Sequence, residues 1–183
     1  LNAFLSGKKV KLGRLDTSDS HIQRMATWLD DDRVTRLLFA GLMPADPDTI
    51  RQEWEHNLRD PNEIVFQVQA CLPTRDVFIG TAGLYLINWV ARTAEYRIFL
   101  GDMGCWGKGY GTEATRLVLR YALEKLNLHS VYLGVNKANR AAVRVYEKAG
   151  FVYEGVLRQI YYRNGQYYDV ARMSILREEY DAL

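Results

Sequence analysis

Cysteine is scarce in this 183-residue chain: there are two, Cys71 and Cys105. They form neither a CxxC pair nor a disulfide framework, so a disulfide scaffold is excluded and a reducing cytoplasm is the expected setting. The three histidines, His21, His56 and His129, are scattered, with no HExxH or paired-carboxylate spacing. No metal site is expected from them. No apolar run approaches the ~18 residues of a membrane span, and no signal-peptide pattern is present, so no membrane partner is expected. Neither sign of charge dominates: the net charge is +2 and no basic cluster stands out. That balance argues neither for nor against nucleic acid, and no nucleic-acid partner is expected. There is no internal repeat, linker or low-complexity segment. The chain begins at Leu1 rather than methionine, so its natural start is expected to be missing or trimmed.

What is present is globular in character, with 48% hydrophobic and 25% charged residues. The length fits one domain, 1–183, with a sizeable core. Val10, Leu12 and Leu15 suggest a first strand. Ile22, Met25, Ala26 and Leu29 recur at helical spacing, and Asp46 with Pro47 opens a second helix running to about Asn57. Three alternating strands follow, over 64–70, 78–87 and 94–100. Their short connections make them an antiparallel meander of three or four strands. A long helix is expected from Gly109 to about Leu126, then a strand over 130–135. Next comes a helix with the apolar stripe Ala142, Val145, Tyr146 and Ala149, ended by Gly150. Strands over 152–162 and 166–176 are joined at Asn164-Gly165, a strong hairpin signal. The fold class is α/β (α+β): a mixed, largely antiparallel central sheet flanked by helices.

The most informative stretch is Gly104-Cys-Trp-Gly-Lys-Gly-Tyr-Gly-Thr-Glu-Ala114, a glycine loop between a strand and a helix. Such a loop points unpaired N–H groups at an anion, or else serves turn geometry alone. A P-loop is excluded, because Asp102 stands where its first glycine belongs and Gly109 follows Lys108. Gly109, Gly111 and Ala114 satisfy the dinucleotide fingerprint. That fingerprint needs an acid about 20 residues on and parallel strands around the loop; residues 131–136 hold no acid, and the preceding strands form a meander. Cys105 beside the loop reads as a nucleophile or as incidental.

A second block is Asn136-Lys-Ala-Asn139-Arg-Ala-Ala-Val-Arg-Val-Tyr146-Glu-Lys-Ala-Gly150-Phe151. Together with Trp106 to Ala114 it resembles the two signature motifs of the GNAT superfamily of acyl-CoA-dependent N-acetyltransferases, and the element order is similar to that fold across nearly the whole chain. The tail, Arg163-Asn-Gly-Gln-Tyr and Arg172-Met-Ser-Ile-Leu, resembles the branch holding ribosomal-protein N-terminal and spermidine acetyltransferases. Trp106 departs from the Gln or Arg common at that position, although this branch often has an aromatic there.

The resemblance implies acetyl-CoA as cofactor, with backbone N–H groups of Gly107, Lys108, Gly109, Tyr110, Gly111 and Thr112 holding the coenzyme A pyrophosphate. Lys108 adds charge or is simply solvated. The pantetheine arm would slot between the strands 94–100 and 130–135, pairing with Ile98, Phe99 and Leu100. Asn139 would contact the pantetheine, cap the following helix, or do both. By position alone Tyr146 reads as core packing; the resemblance makes it the general acid for the leaving thiolate. Glu95 is the candidate base for the attacking amine, or a structural partner of Arg92 or Arg97. A backbone N–H near Phe99 or Leu100 would serve the oxyanion. No acyl-enzyme is implied.

The acceptor is less legible. Tyr85, Asn88 and Trp89 on one side and Tyr161, Tyr162, Tyr167 and Tyr168 on the closing hairpin suit a cation, a stacked ring or a homodimer interface. Asp30 to Asp32 would attract a polyamine or form a solvated helix end. The expected function is acetyl transfer to a primary amine: a small molecule such as a polyamine, amino sugar or antibiotic, or a protein N-terminus. The alternative is a non-catalytic acyl-CoA-binding module.

Overall fold

The computed structural model describes residues 3–183. Its centre is one eight-stranded sheet in the order β1-β2-β3-β4-β5-β6-β8-β7. The strands are β1 (Leu5–Ser6), β2 (Val10–Arg14), β3 (Ile64–Cys71), β4 (Asp76–Asn88), β5 (Thr93–Leu100), β6 (Ser130–Asn136), β7 (Val152–Arg163) and β8 (Gln166–Leu176). Every neighbouring pair is antiparallel except β5 and β6. The expected meander is therefore part of a five-stranded antiparallel block. β1 is too short to show an alternating pattern in the sequence.

Helices cover both faces. On one face α1 (Asp19–Leu29) and α3 (Pro47–Asn57) pack Ile22, Met25, Ala26, Ile50 and Trp54 against Leu15, Val65 and Phe78. On the other, α4 (Tyr110–Arg120) and α5 (Arg140–Ala149) bury Ala114, Leu117, Val118, Tyr146 and Ala149 against Leu12, Val68, Tyr96 and Leu133. The apolar spacing seen in the sequence is thus the stripe each helix turns to the sheet. Asp46 caps α3 by accepting from Thr49 N at 2.9 Å, with Pro47 at the first helical position. The β7–β8 turn places Asn164 and Gly165 at φ +49° and +81°, as a two-residue hairpin loop requires.

Three features depart from expectation. The α-helix after the glycine loop ends at Arg120 and widens into a π turn over Tyr121–Lys125, closed by Leu126 N donating to Tyr121 O at 3.1 Å. The wider turn sets the Tyr121 ring edge-on to Phe4 and Phe66 while Ala122 and Leu123 stay buried. Asp31 is not free at a solvated helix end: it caps a short helix, α2 (Asp32–Thr35), by accepting from Arg33 N. A last short helix, α6 (Arg177–Asp181), follows β8 directly.

Candidate active site

The site is built on a failure of strand pairing. β5 and β6 run parallel and pair at only three positions: Thr93 with Ser130, Ala94 with Val131 and Glu95 with Tyr132. Beyond that they diverge. The edge this exposes is defined by parity. Arg92 O accepts from His129 N and Ser130 N on the β6 side, whereas Gly101 N donates to Ile79 O on the β4 side. Backbone groups alternate along a strand, so Ile98 and Leu100 present theirs to the gap, while those of Phe99 face β4. Side chains alternate too. Tyr96, Ile98 and Leu100 lie toward α4 and α5; Glu95, Arg97 and Phe99 lie toward α1 and α3. The gap opens into a cleft of about 1220 Å³ lined by residues from both faces.

The glycine loop closes one end of this cleft. Asp102 accepts from Gly104 N at 3.0 Å and is held by Arg24, also at 3.0 Å. Trp106 donates its indole N–H to Leu100 O at 2.9 Å. Gly107 and Gly109 follow at φ +73° and +86°, and Gly109 is the N-cap of α4 with no side chain capping it. A β-carbon would be strained at both positions. The N–H groups of residues 107–112 find no acceptor among the described residues, so a helix start with its dipole lies open to an anion. Lys108 does not line the cleft; its carbonyl instead accepts from Lys9 Nζ at 2.9 Å. Arg140, Arg144 and Lys148 do line it, at four-residue intervals along one face of α5. Cys105 is also in the wall, and burial pushes its thiol up, away from the thiolate a nucleophile needs.

Asn139 caps α5 by accepting from Ala142 N at 3.1 Å, and it lines the cleft as well. α5 carries Tyr146, only 7% exposed, with its ring edge-on to Tyr96 and Phe151. Its hydroxyl has no hydrogen-bond partner among the described residues, and burial raises its pKa, so the phenol keeps its proton.

On the opposite face Glu95 accepts from Arg97 Nε at 3.1 Å and from Nη2 at 2.6 Å. Both bonds go to Oε2, which leaves Oε1 open. Arg97, rather than Arg92, is thus its partner. The Arg97 guanidinium lies over the Tyr85 ring, 4.6 Å from its centroid. Tyr85 is the one proposed acceptor residue that lines the cleft. Asn88 builds the β4–β5 turn by accepting from Val90 N and Ala91 N, and Trp89 donates to Pro61 O. The Tyr162 ring lies tilted against Tyr167, with centroids 4.9 Å apart, at the exposed hairpin. None of these three is in the wall.

Several participants were not singled out from the sequence. Arg36 lines the cleft, and so does Arg97, which the sequence offered only as a partner for Glu95. Arg163 reaches it indirectly, donating to Ala40 O and Thr35 Oγ1, each at 2.9 Å. Glu113 braces the loop by accepting from Lys8 N, Lys9 N and Val10 N.

A family model described as an acetyltransferase (GNAT) domain matches residues 11–152. A spermidine N(1)-acetyltransferase of Vibrio cholerae is 35% identical over 133 residues, which is 73% of this chain and 75% of that one. One from Escherichia coli K12 is 40% identical over 101 residues, 55% of this chain and 54% of that one. The crystal structure of spermidine N-acetyltransferase from Vibrio cholerae in complex with CoA and spermine matches with a TM-score of 0.83 at 29% identity, covering 95% of this chain and 99% of that one.

Proposed function

The chain belongs to the GNAT acetyltransferase family and is an N-acetyltransferase using acetyl-CoA; on that premise we propose that it acetylates a primary amine by direct attack in a ternary complex. The observation that carries this reading is the β5–β6 gap with Glu95 and Tyr146 on opposite faces of it. A base on the acceptor side and an acid on the cofactor side are what amine attack on a thioester needs. The reading as a non-catalytic acyl-CoA-binding module lacks that support.

When bound, acetyl-CoA supplies a thioester carbonyl. The open N–H groups of Gly107 to Thr112 and the α4 dipole suit its pyrophosphate. Arg140, Arg144 and Lys148 add positive charge along the same wall. The Ile98 and Leu100 backbone edge suits the pantetheine amides, and Asn139 stands beside it while capping α5. The Leu100 carbonyl is already bonded to Trp106. Its N–H is therefore the donor we assign to the carbonyl oxygen, in preference to that of Phe99. Glu95 Oε1 takes the proton from the amine, directly or through water. The amine nitrogen would take the acetyl group as its C–S bond breaks, and the Tyr146 hydroxyl would give its proton to the departing sulfur.

A second copy of the chain fits the β7 edge, where Val156, Leu157, Ile160 and Tyr162 are exposed. A reducing compartment fits the unpaired Cys71 and Cys105. The test of the activity is thiol release from acetyl-CoA across a panel of amines, with the acetylated product identified by mass spectrometry. Turnover on at least one amine is expected. Tight acetyl-CoA binding with no turnover on any amine would favour the binding module.

A further inference from the structure

The acceptor side of the cleft carries an unusual charge balance for an enzyme whose relatives include spermidine acetyltransferases. We propose that the amine it accepts also bears an anionic group, a carboxylate or a phosphate, received by Arg36 and Arg97. This rests on the amine-acetylation reading above and narrows its substrate class.

The ionisable side chains lining the acceptor half are Arg33, Arg36, Glu53, Glu95 and Arg97: three cations against two carboxylates. Arg33 is taken by Asp31, through Nη2 to Oδ2 at 2.6 Å and Nε to Oδ1 at 3.0 Å. Arg97 and Glu95 hold each other at 2.6 Å. That leaves Arg36, with no carboxylate within 4 Å among the described residues, and Glu53, which has no ion-pair partner either. Among the lining side chains a polycation meets no net negative charge; Glu63, behind the wall, adds one further carboxylate within electrostatic range of Tyr85 and Arg97.

The aspartates that would supply that charge are committed elsewhere. Asp30 accepts from Ala45 N at 2.8 Å, Asp31 is bound to Arg33, and Asp32 accepts from Asn164 at 3.2 Å and faces Arg163 at 3.6 Å. None of the three lines the cleft.

The segment that presents Arg36 is also fixed in place. Arg163 bonds Thr35 before it and Ala40 after it, and Tyr161 donates to Leu38 O between them. Gly41, at φ +71°, then turns the chain so tightly that a β-carbon there would lie 2.6 Å from Leu29 O. The backbone of the wall is therefore preformed, and the exposed Arg36 side chain projects from it with no ion-pair partner among the described residues. Guanidinium groups suit carboxylate and phosphate because two N–H donors meet two oxygens at once. Arg97, with its guanidinium over the Tyr85 ring, has Nη1 free of its bonds to Glu95. The amine end of the same molecule would then lie toward Glu95 Oε1.

The experiment uses the full chain with acetyl-CoA and compares kcat/KM for matched acceptors. One pair is a dipeptide and its C-terminal amide, which differ only in the carboxylate. The other is phosphoethanolamine and ethanolamine, which differ in the phosphate. Spermidine is the fifth acceptor. The expected result is that the anionic member of one pair exceeds its neutral partner and spermidine by about tenfold or more. The pair that shows it identifies which anion is read. Arg36→Glu should collapse that ratio to near one while KM for acetyl-CoA is unchanged. A preference for spermidine over both anionic amines, or ratios near one in both pairs, overturns the inference and leaves amine acetylation standing. No turnover on any of the five overturns this inference, since its anionic amines are then not acceptors, while the acetylation reading is decided by the wider amine panel above.

Discussion

The Tyr146 ring stands edge-on to Tyr96, with centroids 6.2 Å apart and planes at 87°. Tyr96 is itself pinned, its hydroxyl 2.9 Å from Thr115 Oγ1, which donates to Gly111 O at 2.8 Å. One buried tyrosine thus links the proposed acid on α5 to the glycine loop on α4. Its ring sets the orientation of Tyr146, and its hydroxyl reaches a carbonyl of the turn that leaves the N–H groups open. Rigid aromatic neighbours of this kind hold a catalytic side chain without consuming its polar end.

Because packing holds the ring and no described residue bonds the hydroxyl, Tyr146→Phe separates chemistry from structure. The stacking on Tyr96 and Phe151 survives, so thermal stability should hardly change. The loss of a positioned acid should lower kcat by about 100-fold with KM for acetyl-CoA nearly constant. Burial raises the pKa of this phenol, so the wild-type rate should show no alkaline fall from Tyr146 at neutral or mildly basic pH. Steady-state kinetics between pH 6 and about 9 check both statements. A variant with full activity would remove Tyr146 from the mechanism.

Glu113 is the brace beneath the loop. Its carboxylate accepts from Lys9 N at 2.6 Å, Val10 N at 2.8 Å and Lys8 N at 3.1 Å, and Lys9 in turn holds Lys108 O. Glu113→Gln replaces one accepting oxygen with a donor that faces another donor. A cost of about 1–2 kcal/mol is expected, which lowers Tm by roughly 2–8 °C in a chain of this size. The more telling readout is KM for acetyl-CoA, expected to rise several-fold while kcat at saturation stays within about twofold.

The parts that were legible in the sequence are those whose signal is local. Gly107 and Gly109 sit where the backbone needs positive φ, Asn139 caps the helix it precedes, and Asn164-Gly165 makes the hairpin turn. Each of these is decided within a few residues. The burial of Tyr146 was legible from its place on the apolar stripe, whereas its proposed role as acid came from the resemblance alone. Arg163 was not visible as a contact: its partners Thr35 and Ala40 lie more than 120 residues away, and no periodicity encodes such a meeting. The short α2 depends on the Asp31 cap and spans too few residues for a pattern. Asn88 and Trp89 sat close in sequence to Tyr85, but the turn that Asn88 caps carries both away from the cleft.

His21 gives a pH signature in stability rather than in rate. Its ring packs on Phe78 at 4.5 Å, and its Nε2 is buried with no partner. Burial lowers its pKa in the folded state, outweighing Asp16 beside it and reinforced by Arg24. The unfolded chain therefore takes up the proton first. Stability from this group is complete above the unfolded value near 6.5 and declines as pH falls through it toward the lowered folded value. Urea unfolding between pH 7.5 and about 5 should show falling midpoints, and His21→Gln should flatten that slope. An equal slope in the variant would place the effect on other groups.

Arg163 is expected to govern the acceptor side of the enzyme alone. It is 6% exposed, and its two terminal nitrogens tie the β7–β8 hairpin to both ends of the segment 35–40. Leu37, Leu38, Phe39 and Ala40 in that segment line the cleft, whereas the glycine loop and α5 lie outside the arginine's reach. Arg163→Met keeps much of the side-chain volume, orphans the Ala40 carbonyl and removes one of the two bonds of the Thr35 hydroxyl, which still donates to Asp31 O at 3.1 Å. At about 1–3 kcal/mol for a buried group left unpaired, a total cost near 2 kcal/mol is expected, with Tm lower by roughly 4–8 °C. The kinetic consequence separates this role from general destabilisation. KM for the amine should rise about tenfold or more as the wall loosens, while KM for acetyl-CoA should stay constant. Arg163→Lys should recover only part of the loss, because a single ammonium lacks the planar fork that spans Thr35 and Ala40 together. Equal changes in both KM values would show that the hairpin supports the whole fold rather than the acceptor wall.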